Sequence, residues 1–224
     1  MQSWGHTSRF EHRHTALHPT RSGIIGIIAA AMGIDKHSPD EADHLSGLSF
    51  IKITTFNLVK YDRWRHPLPI HRLEDYHTVT GIRRAGGKVD DNATVQTYRH
   101  YLLDARFGAL LEGDALALNP IVSALGNPRW GLWLGRKCCI PANPILIGRP
   151  DRRSAAWSGL LRSAGYKGDE PEEHFDRVIE VPATEPGADM IEDSPTAFGR
   201  PIGERHAPRW VRRIPRSEDA TPGT

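Results

Sequence analysis

Cysteine is nearly absent. Cys138 and Cys139 are the whole complement of the 224 residues, and they are adjacent. Adjacent cysteines form neither a CxxC redox pair nor half of a zinc site, and they give no support for a disulfide framework. A reducing, cytoplasmic setting follows. Lysine is scarce too: six of the 29 basic residues, against 23 arginines. Arginine suits bidentate phosphate contacts and stacking on bases, although a GC-rich coding sequence would also favour its codons. Long hydrophobic runs are missing. No uninterrupted apolar stretch approaches the roughly 18 residues of a membrane span, and Met1 leads into polar residues rather than the apolar core of a secretory leader. No Ser-His-Asp, P-loop or GxGxxG pattern is present, so those catalytic and nucleotide-cradling chemistries have no sequence support. At 38% hydrophobic residues, extensive loops are expected around a core that this length can still build. That means one large domain, or one domain plus an appendage.

What is present begins with segregated charge. Residues 1–168 hold 22 Lys+Arg against 14 Asp+Glu, residues 169–193 hold 1 against 10, and residues 194–224 hold 6 against 3. A basic body with one acidic segment suits a polyanionic partner, with the acidic segment kept off it and turned toward a protein. The densest apolar run is PTRSGIIGIIAAAMGI, Pro19–Ile34. Thr20 or Ser22 can cap it, Gly33 can close it in the left-handed conformation, and apolar residues on nearly every face predict a buried helix. A polar segment with Trp4, Arg9, Arg13 and four histidines feeds into its N-terminus, where anions are favoured.

Further along, Ser38-Pro39-Asp40-Glu41 predicts a short helix to about Leu45. Leu48–Asn57, Leu68–Thr78, most of Thr94–Leu111, Pro144–Gly148 and Phe175–Val181 read as strands. Residues 80–92 read as an exposed, charged hairpin tip. Helices are expected from Asn119, or as early as Asp114, to Leu125 and over Ser154–Ser163. The C-terminal stretch reads as irregular except for Trp210–Ile214. This order predicts an α+β domain around an antiparallel sheet.

Three stretches bear the residue types of an RNA interface. LEDYHTVT offers Tyr76 and His77 for stacking, followed by Arg83, Arg84 and Lys88 for phosphates. A solvated strand end would look the same. In Thr94–Arg106, Gln96, Tyr98 and His100 share one strand face while Thr97, Arg99 and Tyr101 share the other. One face can be a platform and one can pack in the core. Around Trp130–Lys137, Gly131 and Gly135 with Arg129, Arg136 and Lys137 suit a phosphate cradle, while Trp130 and Trp133 suit the core. His6, His12, His14 and His18 lack an accompanying Cys or carboxylate cluster at a familiar spacing, so no metal site is expected. A general acid–base histidine of a metal-independent ribonuclease is a further possibility: His77 with Tyr76 and Lys88, or His100.

Five segments in order resemble one family: MQSWG; Arg13 with PTRSGIIGIIAAAMGI; LEDYHTVTG; TVQTYRHYLLDARFGALLEG; and NPRWGLWLGRKCCIP. They are similar to the CRISPR-associated CasD family, the crRNA 5′-handle-binding subunits of type I-E Cascade. The resemblance runs from Met1 to about Gly148, with an acidic segment and HAPRWVRRIP as looser likenesses beyond. It implies a RAMP-type, ferredoxin-like (RRM-like) core over 1–150, a β-hairpin thumb at about 76–95, and a variable extension over 151–224 packing on the core, acidic at 169–193. Family members begin with an inner strand before the QSWG motif. The resemblance therefore implies that this first strand is missing here, and that the chain alone is poorly stable or aggregation-prone.

The function implied is non-catalytic: holding the 5′ handle and contacting the large and backbone subunits, with target DNA met only through the complex and no cofactor, metal or membrane involved. The residues expected at the RNA are Trp4, Arg9, Arg13, Arg21, Tyr76, His77, Arg83, Arg84, Lys88, Arg99, Arg136 and Lys137. The alternative is a metal-independent endoribonuclease that processes repeat RNA, as the equivalent subunit does in the related type I-C systems.

Overall fold

Thr20 opens the first helix by accepting a hydrogen bond from the Gly23 N–H, and Gly33 closes it at φ 74°. Between them α1 runs Arg21–Met32, as its sequence predicts. The computed structural model describes residues 1–5, 11–64, 66–83, 89–199 and 205–217, with backbone alone at 82–83 and 89–93. Its elements are β1 (His12–Arg13), α1, α2 (Glu41–Ser49), β2 (Lys52–Asn57), β3 (His71–Arg83), β4 (Val89–Leu103), β5 (Phe107–Glu112), α3 (Ala115–Gly126), α4 (Arg153–Ser163), β6 (Arg177–Glu180), β7 (Asp189–Pro195) and β8 (His206–Ile214). The fold is mixed α+β with two sheets. One has three strands in the order β1-β4-β3, and the other has five in the order β5-β2-β6-β8-β7. All pairings are antiparallel except β1 with β4.

Alternation along β2 and β5 sends side chains to two covered faces. Ile53, Ala109 and Leu111 join α1, α2 and Ile121 of α3 on one face. Phe56 and Leu110 meet Trp157, Leu160 and Leu161 of α4 on the other. A third cluster, of Trp4, Ile27 and Leu102 with Phe107, Leu134 and Ile145 around it, ties the chain's opening to the hairpin base and to the loop after α3. Gly135 makes that junction possible. Its φ is 92°, and a Cβ there would fall 1.7 Å from the Ser3 carbonyl oxygen.

Several expectations are corrected. α2 begins three residues after Ser38, and Asp40 makes no side-chain cap bond; Leu48 and Ser49 belong to this helix, not to β2. Thr94–Leu111 is two strands broken by Asp104, whose φ is 56°. Residues 144–148 are coil, because Ile145 packs into the Trp4 cluster from a loop instead of pairing. β7 (DMIEDSP) was expected to be irregular. It is an edge strand held by β8 alone, and acidic residues with a terminal proline conceal such a strand from any local pattern. The C-terminal third does more than pack on a core, since β6, β7 and β8 are three of the five strands of the larger sheet.

Candidate nucleic-acid interface

Strands β3 and β4 form a long hairpin whose register sets what each face presents. Tyr76 lies opposite Tyr98, Glu74 opposite His100, Asp75 opposite Arg99 and His77 opposite Thr97. Cross-strand partners share a face, so Tyr76, Tyr98, His100 and Glu74 stand together. Parallel pairing of His12 with Tyr98 adds β1 to that face. The rings follow. His12 stacks on Tyr98 at 4.9 Å, His14 on His100 at 5.0 Å and His12 on His14 at 5.9 Å, while Tyr76 leans on Tyr98 at 5.4 Å. His100 Nε2 lies 3.3 Å from a Glu74 carboxylate oxygen. The opposite face turns inward at its base, where Tyr101 is buried under the Arg136 guanidinium at 4.7 Å. Burial, then the neighbouring Cys138, pushes the Tyr101 hydroxyl above its ordinary range, and Arg136 opposes them.

The expected RNA contacts separate into groups. Arg13 and Lys137 are exposed, Tyr76 is 52% exposed, and His77 and Arg99 are half-buried. Arg136 is partly committed inward, donating to the carbonyls of His100 and Arg13. Two expectations are corrected. Trp4 is buried against Gly23 of α1 and donates its indole N–H to Gln2. Arg21, 3% exposed, donates to Glu180 and to the carbonyls of Leu48, Ser49 and Ile51. The N-terminus of α1, expected to attract a phosphate, is met by the chain's own Asp193, which accepts from the Arg21 N–H at 2.8 Å. Arg209 completes this buried cluster through Asp193 and Glu180. Arg9, Arg84 and Lys88 lie outside the described residues, as does the side chain of Arg83.

Among the described residues, the nuclease candidates Tyr76, His77 and His100 do not converge on one site. Tyr76 and His77 are consecutive on β3 and point to opposite faces. His100 shares the Tyr76 face and is engaged by Glu74. Among the described residues no His/Cys/Asp/Glu group is arranged to hold a metal. Cys139 is fully buried, with its thiol pushed up to about 11 by burial.

Sequence reading missed a cleft of about 830 Å³ between the hairpin base, the segment before α1 and the ends of β2, β6 and β8. Its floor is apolar, with Phe56, Leu58 and Ile70, while Arg72, Arg106, Arg177, Arg213 and Arg216 line it against Asp104 and Asp176. The buried Thr55 hydroxyl, also on the lining, has no hydrogen-bond partner. These arginines come from four separate segments, so no local motif announces them.

The hairpin face thus carries partly exposed aromatic and imidazole rings, groups able to stack on bases. The chain belongs to the family described as CRISPR-associated protein (Cas_Cas5), whose model matches residues 1–207. It is 31% identical over 151 residues to the CRISPR system Cascade subunit CasD of Escherichia coli (strain K12), a match spanning 66% of this chain and 66% of that relative. A chain from a solved CRISPR RNA-guided surveillance complex superposes with a TM-score of 0.71 at 27% identity, covering 96% of this chain and 86% of that one. A second solved Cas protein superposes with a TM-score of 0.57 at 29% identity, covering 96% and 90%.

Proposed function

We propose that this protein is the crRNA-binding subunit of a Cascade-type CRISPR interference complex and acts without catalysing a reaction. The observation that carries this reading is its family membership over residues 1–207, together with the likeness, over 96% of the chain, to a component of an RNA-guided surveillance complex. The order α1, β2, β5, α3, with β2 and β5 antiparallel, supports a ferredoxin-like RAMP core, and the β3–β4 hairpin fits the thumb. In this reading the subunit holds the 5′ handle of the crRNA and contacts the large and backbone subunits, in the cytoplasm.

Tyr76, His77 and the hairpin cations meet bases and phosphates. Arg13, Arg99 and Lys137 add phosphate contacts, with Arg136 holding β1 and β4 in place beneath them. Arg21 and Trp4 support the fold instead. Recognition is of a fixed RNA segment, while target DNA is read by guide pairing elsewhere in the complex.

The test is co-expression with the neighbouring CRISPR genes, followed by analysis of what co-purifies. A ribonucleoprotein containing this chain and a repeat-derived RNA is expected, and RNA retention should weaken steeply with salt because several phosphates are neutralised. An RNA-free assembly of unchanged protein composition would sink the reading. Repeat RNA incubated with the purified chain in EDTA should remain intact; cleavage abolished by His77→Ala would establish a nuclease instead.

A further inference from the structure

β3, β4 and the segment of β1 with the residue after it bring five rings onto one face of the hairpin sheet, and three of the rings are imidazoles. His14 stacks on His100, His12 on His14 and on Tyr98, and Tyr98 meets Tyr76. This is an open face. β1 is an edge strand, His12 and His14 are exposed, and Tyr76 at the far end is 52% exposed. Among the described residues, the charged groups on and around it are Arg72, Glu74, Glu11, Arg13 and Arg136. Glu74 of β3 faces His100. Glu11 and Arg13 flank His12 on β1, and Arg136 reaches the carbonyls of Arg13 and His100 from the loop after α3. Stacked imidazoles pack well when neutral. When protonated they repel one another and call for anions, and Glu74 supplies one carboxylate for three rings. A single strand of RNA answers both needs: flat bases for the exposed end of the stack, and phosphates for the imidazoliums.

We infer that the ladder of Tyr76, Tyr98, His12, His14 and His100 is a base-stacking surface for single-stranded RNA, which grips phosphates through its three histidines and tightens as they take up protons. The inference rests on the RNA-binding reading above and adds to it four residues, His12, His14, Tyr98 and His100, that carry none of the expected contacts. The sign follows from linkage. RNA phosphates favour the charged imidazole, so the bound form takes up protons. The histidine contribution to affinity therefore grows as pH falls and is lost as pH rises.

The experiment measures the affinity of the full-length chain for a fluorescently labelled single strand of the CRISPR repeat RNA, at fixed ionic strength, between pH 8 and pH 6. Binding is expected to tighten about tenfold on acidification. In the variant carrying His12→Gln, His14→Gln and His100→Gln the dependence should shrink to about twofold or less, and the pH 8 affinity should fall as well because three rings of the stack are gone. Tyr76→Ala should weaken binding about tenfold at both pH values, and Tyr76→Phe, which keeps the ring, should not. Unfolding curves of each variant establish that it is folded. Binding that is tight but flat in pH, or a pH dependence unchanged in the triple variant, overturns the inference and leaves the RNA-binding reading standing. Absence of RNA binding at every pH removes both.

Discussion

Arg21 stands in a run, PTRSG, whose polar residues look poised to meet a ligand at the head of a helix. Its guanidinium is instead consumed by Glu180 and by carbonyls of the last turn of α2 and of Ile51. Removing one member of a buried ionic cluster leaves its partners uncompensated. Arg21→Met is therefore expected to lower stability by about 3 kcal/mol, read from urea unfolding, while RNA retention by the folded fraction is unchanged. RNA loss without a stability change would return Arg21 to the interface. No local pattern in the sequence separates the two roles, because the partners lie 159 and 172 positions away. Two histidines make a second residue-scale case. Burial is the largest influence on both His18 and His206 and holds each below its ordinary value of 6.5. Arg209 and Arg213 reinforce it at His18, Arg205 reinforces it at His206, and Asp193 opposes it at both. The unfolded chain then binds more protons than the native one, so their contribution to stability is present above pH 6.5 and is lost as pH falls below it. The melting temperature should drop between pH 7.5 and pH 5.5, and less in a His18→Gln, His206→Gln variant.

At the scale of elements, the hairpin and the five-stranded sheet share little beyond the hairpin base, where Tyr101 and Leu102 are buried. Replacing residues 76–98 with an Asn-Gly turn would close the hairpin at the Asp75–Arg99 pair. The shortened protein should melt within about 5 °C of the original, a difference on the order of 1 kcal/mol. Its RNA retention in the assembled complex should fall at least about tenfold. A large loss of stability would make the hairpin part of the core. Elements with strong local signals were legible in sequence: α1 with its Thr20 cap and Gly33 stop, α4, and the hairpin with its alternating rings. β1 and β7 were not. β1 is two residues held by β4, and β7 is an acidic edge held by β8, so tertiary pairing alone makes them strands. The same limit applied to the interface. Tyr76 and Tyr98 could be assigned to strands by their spacing, but their meeting with His12 and His14 depends on a register that no local window contains.

For the whole molecule, half of the acidic segment read from sequence is consumed internally. Of the ten carboxylates in residues 169–193, Glu172, Glu180, Glu185, Asp189 and Asp193 pair with arginines of the same chain. The acidic segment is an internal counterweight that binds the C-terminal third into the sheet. A chain ending at residue 168 would lose β6, β7 and β8 together with Asp193, the carboxylate at the α1 N-terminus. It should show no cooperative melting transition by circular dichroism, and a sharp transition would mean that the first 168 residues are a self-sufficient domain. The long reach of Arg21 also bears on synthesis. A ribosome adding about 5–20 residues per second needs roughly ten to thirty seconds after making Arg21 to deliver Glu180 and Asp193. Throughout that interval the isoleucine-rich α1 lacks the acidic partners that seat its first turn, and β2 lacks β6. Nascent chains stalled before β6 would thus be clients for chaperones, and yield in a heterologous host would respond more to the pace of translation and chaperone supply than to the stability of the finished fold.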